Sequence, residues 1–323
     1  MSRTINILVV LFIVQLVVVG ALSLQQDEIQ DKINKQALLD FAPGQIDKIQ
    51  ISSNDEQVVL SRTAEGWNLP DYFSFPVTPR RVKSLLEKLA GLKPGWPVAT
   101  TDAAAKRFKV SDGEYERKLE LYQGELLVGT LYIGTSPGLR KVHVRKANAE
   151  NIHDVTFSAF DASVKLSDWR DASLLKLTQK DITKIRFPNF NLTKDGDIFL
   201  LDGLADGEVV AQEKVASYEQ KLTTLNFASV VGAEAKATYN QADPLQLLTV
   251  ESKSETLEYR LSKSSDGQYV LKRSDQPYFF ILHEAVALPL IVNEMSQFLV
   301  QPESESVEAE GMPAEIDSPR NEQ

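Results

Sequence analysis

IDKIQI at residues 46–51 and ITKIRF at residues 182–187 decide the fold, because one short pattern appears twice at an offset of 136. In each, large apolar residues fall two apart at the end of the segment (Ile49 and Ile51; Ile185 and Phe187). That spacing puts both on one face of a strand. Working outward, the same order of elements follows each copy. A short apolar strand comes next, Val58-Val59-Leu60 in one half and Ile198-Phe199-Leu200 in the other. A helix follows. Val82, Leu85, Leu86, Leu89 and Leu92 fall at three- and four-residue spacing after Thr78-Pro79, a good helix start; Val215, Tyr218, Leu222 and Leu225 repeat the spacing.

Strands return after both helices. Residues 118–122 and 129–133 alternate apolar with polar, as do 247–251 and 257–261. The polar turns Gln123-Gly124-Glu125 and Ser252-Lys253-Ser254 join each pair into a hairpin. A further strand (141–145; 268–272) and an apolar segment (155–166; 279–299) complete each half. The offset drifts downward along the chain, as insertions and deletions in loops would make it. Each half reads as an antiparallel sheet with a helix on one face, an α+β architecture. Gly66-Trp67, followed by Asn68-Leu69-Pro70, reads as a turn and a Trp that closes one end of the first core.

Ahead of the duplicated part, residues 5–24 (INILVVLFIVQLVVVGALSL) carry no charge over 20 positions. As a helix they span about 30 Å, the thickness of the hydrocarbon core of a bilayer. Arg3 and the terminal amine precede the run, and Asp27, Glu28 and Asp31 follow it, which places the N-terminus inside. A cleaved signal peptide is the competing reading, with Ala21-Leu22-Ser23 as its site; the length of the run and the single Arg before it favour an uncleaved anchor. Ile29, Ile33 and Ala37 then recur every fourth residue and extend one apolar stripe along a helix to about Asp40, before Pro43-Gly44.

The expected organisation is therefore a cytoplasmic stub (1–4), a transmembrane helix (5–24), a juxtamembrane helix or linker (25–42), a first α+β unit (43–178), a second (179–300) and an acidic tail (301–323). The tail holds seven acidic residues against Arg320 alone, so it carries −6 of the net charge of −10 and leaves −4 on the other 300 residues. That near balance gives no electrostatic case for nucleic acid. The tail's three prolines and its lack of aromatics predict disorder.

The residues offer little chemistry. There is no Cys, and His143, His153 and His283 have no metal-binding spacing, so no metal and no cofactor is expected. There is no nucleophile elbow and no Walker loop. Gly134-Thr135-Ser136-Pro137-Gly138 reads as a turn between strands. Asn191-Leu192-Thr193 matches the glycosylation tripeptide but is assigned no role. The residues named for partner binding are Asn6, Gln15, Ile29 and Ile33 on the helical stripe, with Arg80 and Arg81 at a basic helix start facing lipid headgroups or an acidic partner.

Four features of residues 46–92 together resemble the start of the domain of unknown function 4340 family: I-x-x-I-x-I, then V-V-L-S-R, then E-G-W-N-L-P, then P-x-R-V-x-x-L-L-x-x-L-x-x-L. The resemblance covers about residues 40–180 well and the second half more loosely. It implies a bacterial inner-membrane protein with one N-terminal span and a periplasmic bulk, often encoded beside ABC-2-type transporter subunits, including auxiliary components of gliding motility. It supplies no catalytic residues. The function expected is a non-enzymatic accessory or scaffold subunit of an ABC-type transport or envelope complex, with permease or auxiliary subunits as partners. A peptidoglycan-binding module is the alternative, and an envelope hydrolase the third reading.

Overall fold

The computed structural model describes residues 11–16, 18 and 37–300. Residues 11–16 and 18 are helical, and among the described residues no helix is long and apolar enough to cross a membrane. The remainder of the 5–24 run lies outside the described residues. So do the stub, the stripe through Ile29 and Ile33, and the tail. From residue 37 onward the chain forms two compact units that divide between Leu174 and Leu175.

In the first unit, ten elements follow in order: β1 (Lys48–Ser52), β2 (Gln57–Thr63), β3 (Gly66–Leu69), β4 (Phe75–Pro76), α1 (Pro79–Ala90), α2 (Asp102–Arg107), β5 (Arg117–Gln123), β6 (Leu126–Ile133), β7 (Lys141–Lys146) and β8 (Ile152–Thr156). The strands form one antiparallel sheet in the order β4-β3-β2-β1-β5-β6-β7-β8. β1 joins its two meanders: Ile49 faces Leu60 on one side and Leu121 on the other, and Ile51 faces Val58 and Leu119. The opening hexapeptide decides the fold because it is this central strand. α1 starts at Pro79, where the missing N–H costs nothing, and buries Val82, Leu85, Leu86 and Leu89 in the cluster formed by these strand residues. A smaller cluster of Ala104, Ala105, Val110, Tyr132 and Ile152 seats α2. The Thr101 hydroxyl caps α2 by accepting from the Ala104 N–H.

The second unit repeats the plan with β9 (Ile182–Arg186), β10 (Asn191–Asp195), β11 (Ile198–Leu201), α3 (Gln212–Thr223), β12 (Ser229–Gly232), β13 (Gln246–Ser252), β14 (Thr256–Lys263), β15 (Tyr269–Arg273), β16 (Phe279–Leu282) and α4 (Glu284–Ala287). The sheet order is β11-β10-β9-β13-β14-β15-β16-β12. Seven strands therefore run in the same order in both units, with β9 in the place of β1. The entrance to the helix is also the same. Thr78 N–H donates to the Trp169 carbonyl at 3.0 Å, and Ala211 N–H to the Phe298 carbonyl at 2.8 Å. One step further out, Asp171 N–H donates to Pro76 and Val300 N–H to Val209, both at 2.9 Å. Trp169 and Phe298, both buried, thus lock the last segment of each unit against the strand-to-helix junction.

The eighth strand differs. In the first unit β4 covers the β3 edge. In the second, β12 extends the opposite edge beside β16, and the β11 edge is closed by a side chain. Gln212 Nε2 donates to the Phe199 carbonyl at 2.8 Å and its Oε1 accepts from the Phe199 N–H at 2.9 Å. The matching carbonyl in the first unit, on Trp67, accepts from the backbone N–H of Val77 at 2.9 Å. One amide side chain does for β11 what a piece of main chain does for β3.

Two expectations change. Ile198-Phe199-Leu200 is the third strand of its unit, the partner in position of Gly66–Leu69, and not the counterpart of Val58-Val59-Leu60. That counterpart is β10, Asn191-Leu192-Thr193-Lys194-Asp195, which carries one buried apolar residue and so gives little hydrophobic signal. The apolar segments that end each half also begin with true strands, β8 and the strand-helix pair β16 and α4. The turn read at residues 134–138 lies between β6 and β7. Gly134 is required there, since a Cβ would lie 2.0 Å from the Phe108 carbonyl oxygen.

Candidate functional site

The connection that leaves α1 forms one wall of a surface cleft in the first unit. After α1 the chain runs from Leu92 to Val98, whose N–H donates to the Ile152 carbonyl at 2.7 Å. After α3 it runs from Leu225 to Ala228, whose N–H donates to the Ile281 carbonyl at 2.8 Å. By sheet register Ile152 matches Phe279 and Ala99 matches Gly232, so the two connections have the same length; the second is taken into β12, which puts Ser229 where the first unit has Trp96. In the first unit the connection Lys93-Pro94-Gly95-Trp96-Pro97 supplies one wall. Its prolines restrict the backbone on either side of Trp96. The incoming chain forms a second wall, pinned where the Leu38 N–H donates to the Leu92 carbonyl at 2.9 Å. The β7–β8 connection and the start of β8 supply the floor.

The resulting cleft measures about 780 Å³ and is lined by Ala37, Leu38, Asp40, Trp96, Lys146, Asn151 and His153, with the Pro94, Gly95 and Pro97 backbone. This lies in the size range of small-molecule sites, about 300–1,000 Å³. Trp96 is 49% exposed, whereas Trp169 is fully buried and Trp67 packs on the core. His153 is buried, and its Nδ1 donates to the Gly95 carbonyl at 2.9 Å. A carbonyl only accepts, so the proton sits on Nδ1 and Nε2 remains an acceptor. Burial holds the imidazole below its ordinary pKa of 6.5, which keeps it neutral at pH 7. Nε2 has no hydrogen-bond partner among the described residues.

Other polar clusters are spoken for. Arg145, buried beside a second opening of about 690 Å³, donates to Val110, Ala149 and Asp112 at 2.7, 3.1 and 2.7 Å. His143 stacks on Phe108 with ring centres 4.0 Å apart, its Nδ1 lying 2.8 Å from the Thr135 carbonyl. His283 precedes α4 as its N-cap residue. Among the described residues no group of three or more His, Cys, Asp or Glu side chains is placed to hold a metal ion.

The residues singled out for partner binding do not meet at this cleft. Arg80 is exposed at the start of α1. Arg81 is committed to the fold: its guanidinium lies 4.9 Å over the Trp169 ring and Nη2 donates to the Phe160 carbonyl at 3.2 Å. Gln15 is an exposed helical residue, and Asn6, Ile29 and Ile33 lie outside the described residues. The reading of the sequence passed over Trp96. Its signal was the Pro-Gly-Trp-Pro string, an aromatic held between residues that neither a strand nor a helix accommodates.

The family model described as "Domain of unknown function (DUF4340)" matches residues 67–244. The chain belongs to this family. The DUF4340 match starts at Trp67 in β3, continues across the Leu174–Leu175 division and stops short of β13, so it takes in the whole wall from Lys93 to Pro97. Comparison with curated proteins finds no match, and comparison with solved structures finds none.

Proposed function

We propose that the chain is a non-enzymatic binding subunit, tethered to the bacterial inner membrane by residues 5–24 with its bulk in the periplasm, that serves an ABC-type transport or envelope complex. The observation that carries this reading is the position and chemistry of the Trp96 cleft. Ala37 and Leu38 line it, and only 12 residues separate Ala37 from Leu24, the last residue of the apolar run. Even fully extended, that stretch reaches about 45 Å, so the cleft works close to the membrane surface. Its lining mixes an exposed indole with an amide, an ammonium, a carboxylate and a neutral imidazole, the composition of a recognition site. The resemblance to single-span proteins encoded beside ABC-2-type subunits supplies the class of partner.

Purification of the full chain from native membranes in gentle detergent tests this. Recovery of a transporter permease or auxiliary subunit in fixed ratio supports the reading. Its absence, with the chain itself recovered intact, overturns it.

A further inference from the structure

The cleft's ligand is legible from the balance of its lining. Lys146 and Asp40 offset each other, and His153 is neutral, so the site presents no net charge to attract an anion or a cation. It offers both donors (Lys146, the Asn151 amide) and acceptors (Asp40, the Asn151 oxygen, His153 Nε2). It also offers a flat apolar platform. Trp96 is half exposed in a loop fixed at both ends: the Gly95 carbonyl accepts from His153 Nδ1, and the Val98 N–H donates to Ile152. A ligand matching these groups is neutral, rich in hydroxyls, and apolar on one face. A pyranose ring has that chemistry, with axial C–H bonds on its face to meet the negative face of an indole and equatorial hydroxyls around its rim.

We propose that the cleft is a saccharide subsite, in which the Trp96 indole stacks on one pyranose ring while Asn151, Asp40, Lys146 and His153 Nε2 hydrogen-bond its hydroxyls. The second unit has no such subsite, because its connection is taken into β12 and holds Ser229 at the position matching Trp96. The proposal rests on the reading of this cleft as a binding site and adds the ligand class.

The full chain, reconstituted in nanodiscs, is titrated with cellotetraose and with tetra-N-acetylchitotetraose by calorimetry and saturation-transfer NMR. The proposal expects saturable binding of at least one of them. It expects Trp96→Ala to weaken that binding by about tenfold or more, which is about 1.4 kcal/mol, and Trp96→Phe to restore much of it. It expects Asn151→Ala to weaken it less. Trp96 is exposed, so its truncation leaves the fold in place, and circular dichroism of each variant checks this. Absence of saturable binding for both oligosaccharides up to about 10 mM overturns the proposal. So does binding that Trp96→Ala leaves unchanged. A chain that fails these tests yet still co-purifies with transporter subunits loses the saccharide and keeps the accessory role.

Discussion

The two units share seven strands in one order and the same pair of hydrogen bonds at the mouth of the helix, yet they finish differently. The first closes its β3 edge with the short strand β4, packs Leu86 of α1 into the core and carries the Trp96 cleft. The second closes the matching edge with the Gln212 side chain and adds β12 on the far side. At the helix position matching Leu86 it buries Glu219, held by Lys194 Nζ at 2.7 Å and Gln179 Nε2 at 2.8 Å. The frame is set by which residues are apolar and at what spacing. The finish is set by where the eighth strand forms and by single polar side chains, and those are the places where two copies of one plan diverge in what they can bind.

The strongest way to break this comparison is at the shared joint. Trp169→Ala and Phe298→Ala each remove a large ring from a buried site that locks a last segment to a helix entrance. Each is expected to cost about 3–5 kcal/mol in denaturant unfolding. Trp169 also loses its indole hydrogen bond to the Ser163 carbonyl (2.8 Å), whereas Phe298 loses ring contacts with Phe187, Phe190 and Tyr218. A cost near zero for Phe298→Ala alone would show that the joint matters in the first unit only.

The next test concerns the helix packed on polar groups. Lys194→Ala leaves the buried Glu219 carboxylate without its counter-charge, held only by the Gln179 amide, and is expected to cost about 3 kcal/mol. Replacing both members, Lys194→Met with Glu219→Leu, makes the second unit resemble the first at this position and should return stability to within about 1 kcal/mol of the parent. If the double variant stays as unstable as the single one, the ion pair has a structural role that an apolar pair cannot fill.

A smaller effect is expected at the sheet edge. Gln212→Ala uncovers the Phe199 N–H and carbonyl to water and should cost about 1 kcal/mol, with faster hydrogen exchange at Phe199. Unchanged exchange there would mean that the side chain does not act as a substitute strand.

The smallest test compares two buried arginines, each held by an aspartate. The hydrogen bond from Arg145 holds the exposed Asp112 carboxyl below its ordinary 3.8. Burial pushes Asp275 up, but the bonds from Arg273 and Gln276 outweigh it and also leave it below 3.8. Both folded values are depressed, so the stabilisation is complete above the unfolded value and fades as pH falls through the folded ones. In NMR titrations, Arg145→Met should raise Asp112 toward its ordinary value without reaching it, because the Tyr132 hydrogen bond still lowers this exposed carboxyl. Arg273→Met should raise Asp275 more, because at 26% exposure burial is then opposed only by its hydrogen bonds to Gln276 and its own backbone. Equal shifts in the two would contradict the difference in burial.

Much of the frame was legible beforehand. The hairpins β5–β6 and β13–β14 followed from alternating residues around short polar turns, and both helices from apolar spacing after a helix start. What escaped had weak local signal. β10 holds one buried apolar residue among polar neighbours, β4 is two residues long, and α2 spans a six-residue run of small and charged side chains. Such elements exist because neighbouring strands already offer hydrogen bonds and an apolar seat. The cleft escaped for a related reason: its residues come from positions 37–40, 94–97 and 146–153, which nothing in the linear order ties together.

The sequence by itself determined the sheet-and-helix plan and its internal repetition, because strand and helix periodicity act over a few neighbouring residues, whereas the central place of the two hexapeptides came from strand pairing. Only the tertiary structure decided which strands take the eighth place, that Arg81 is used up against Trp169, and that half-exposed Trp96 shares a cleft with a buried, neutral His153. The last two outcomes depend on hydrogen bonds and burial between segments more than 50 residues apart, where chain order carries almost no information about distance.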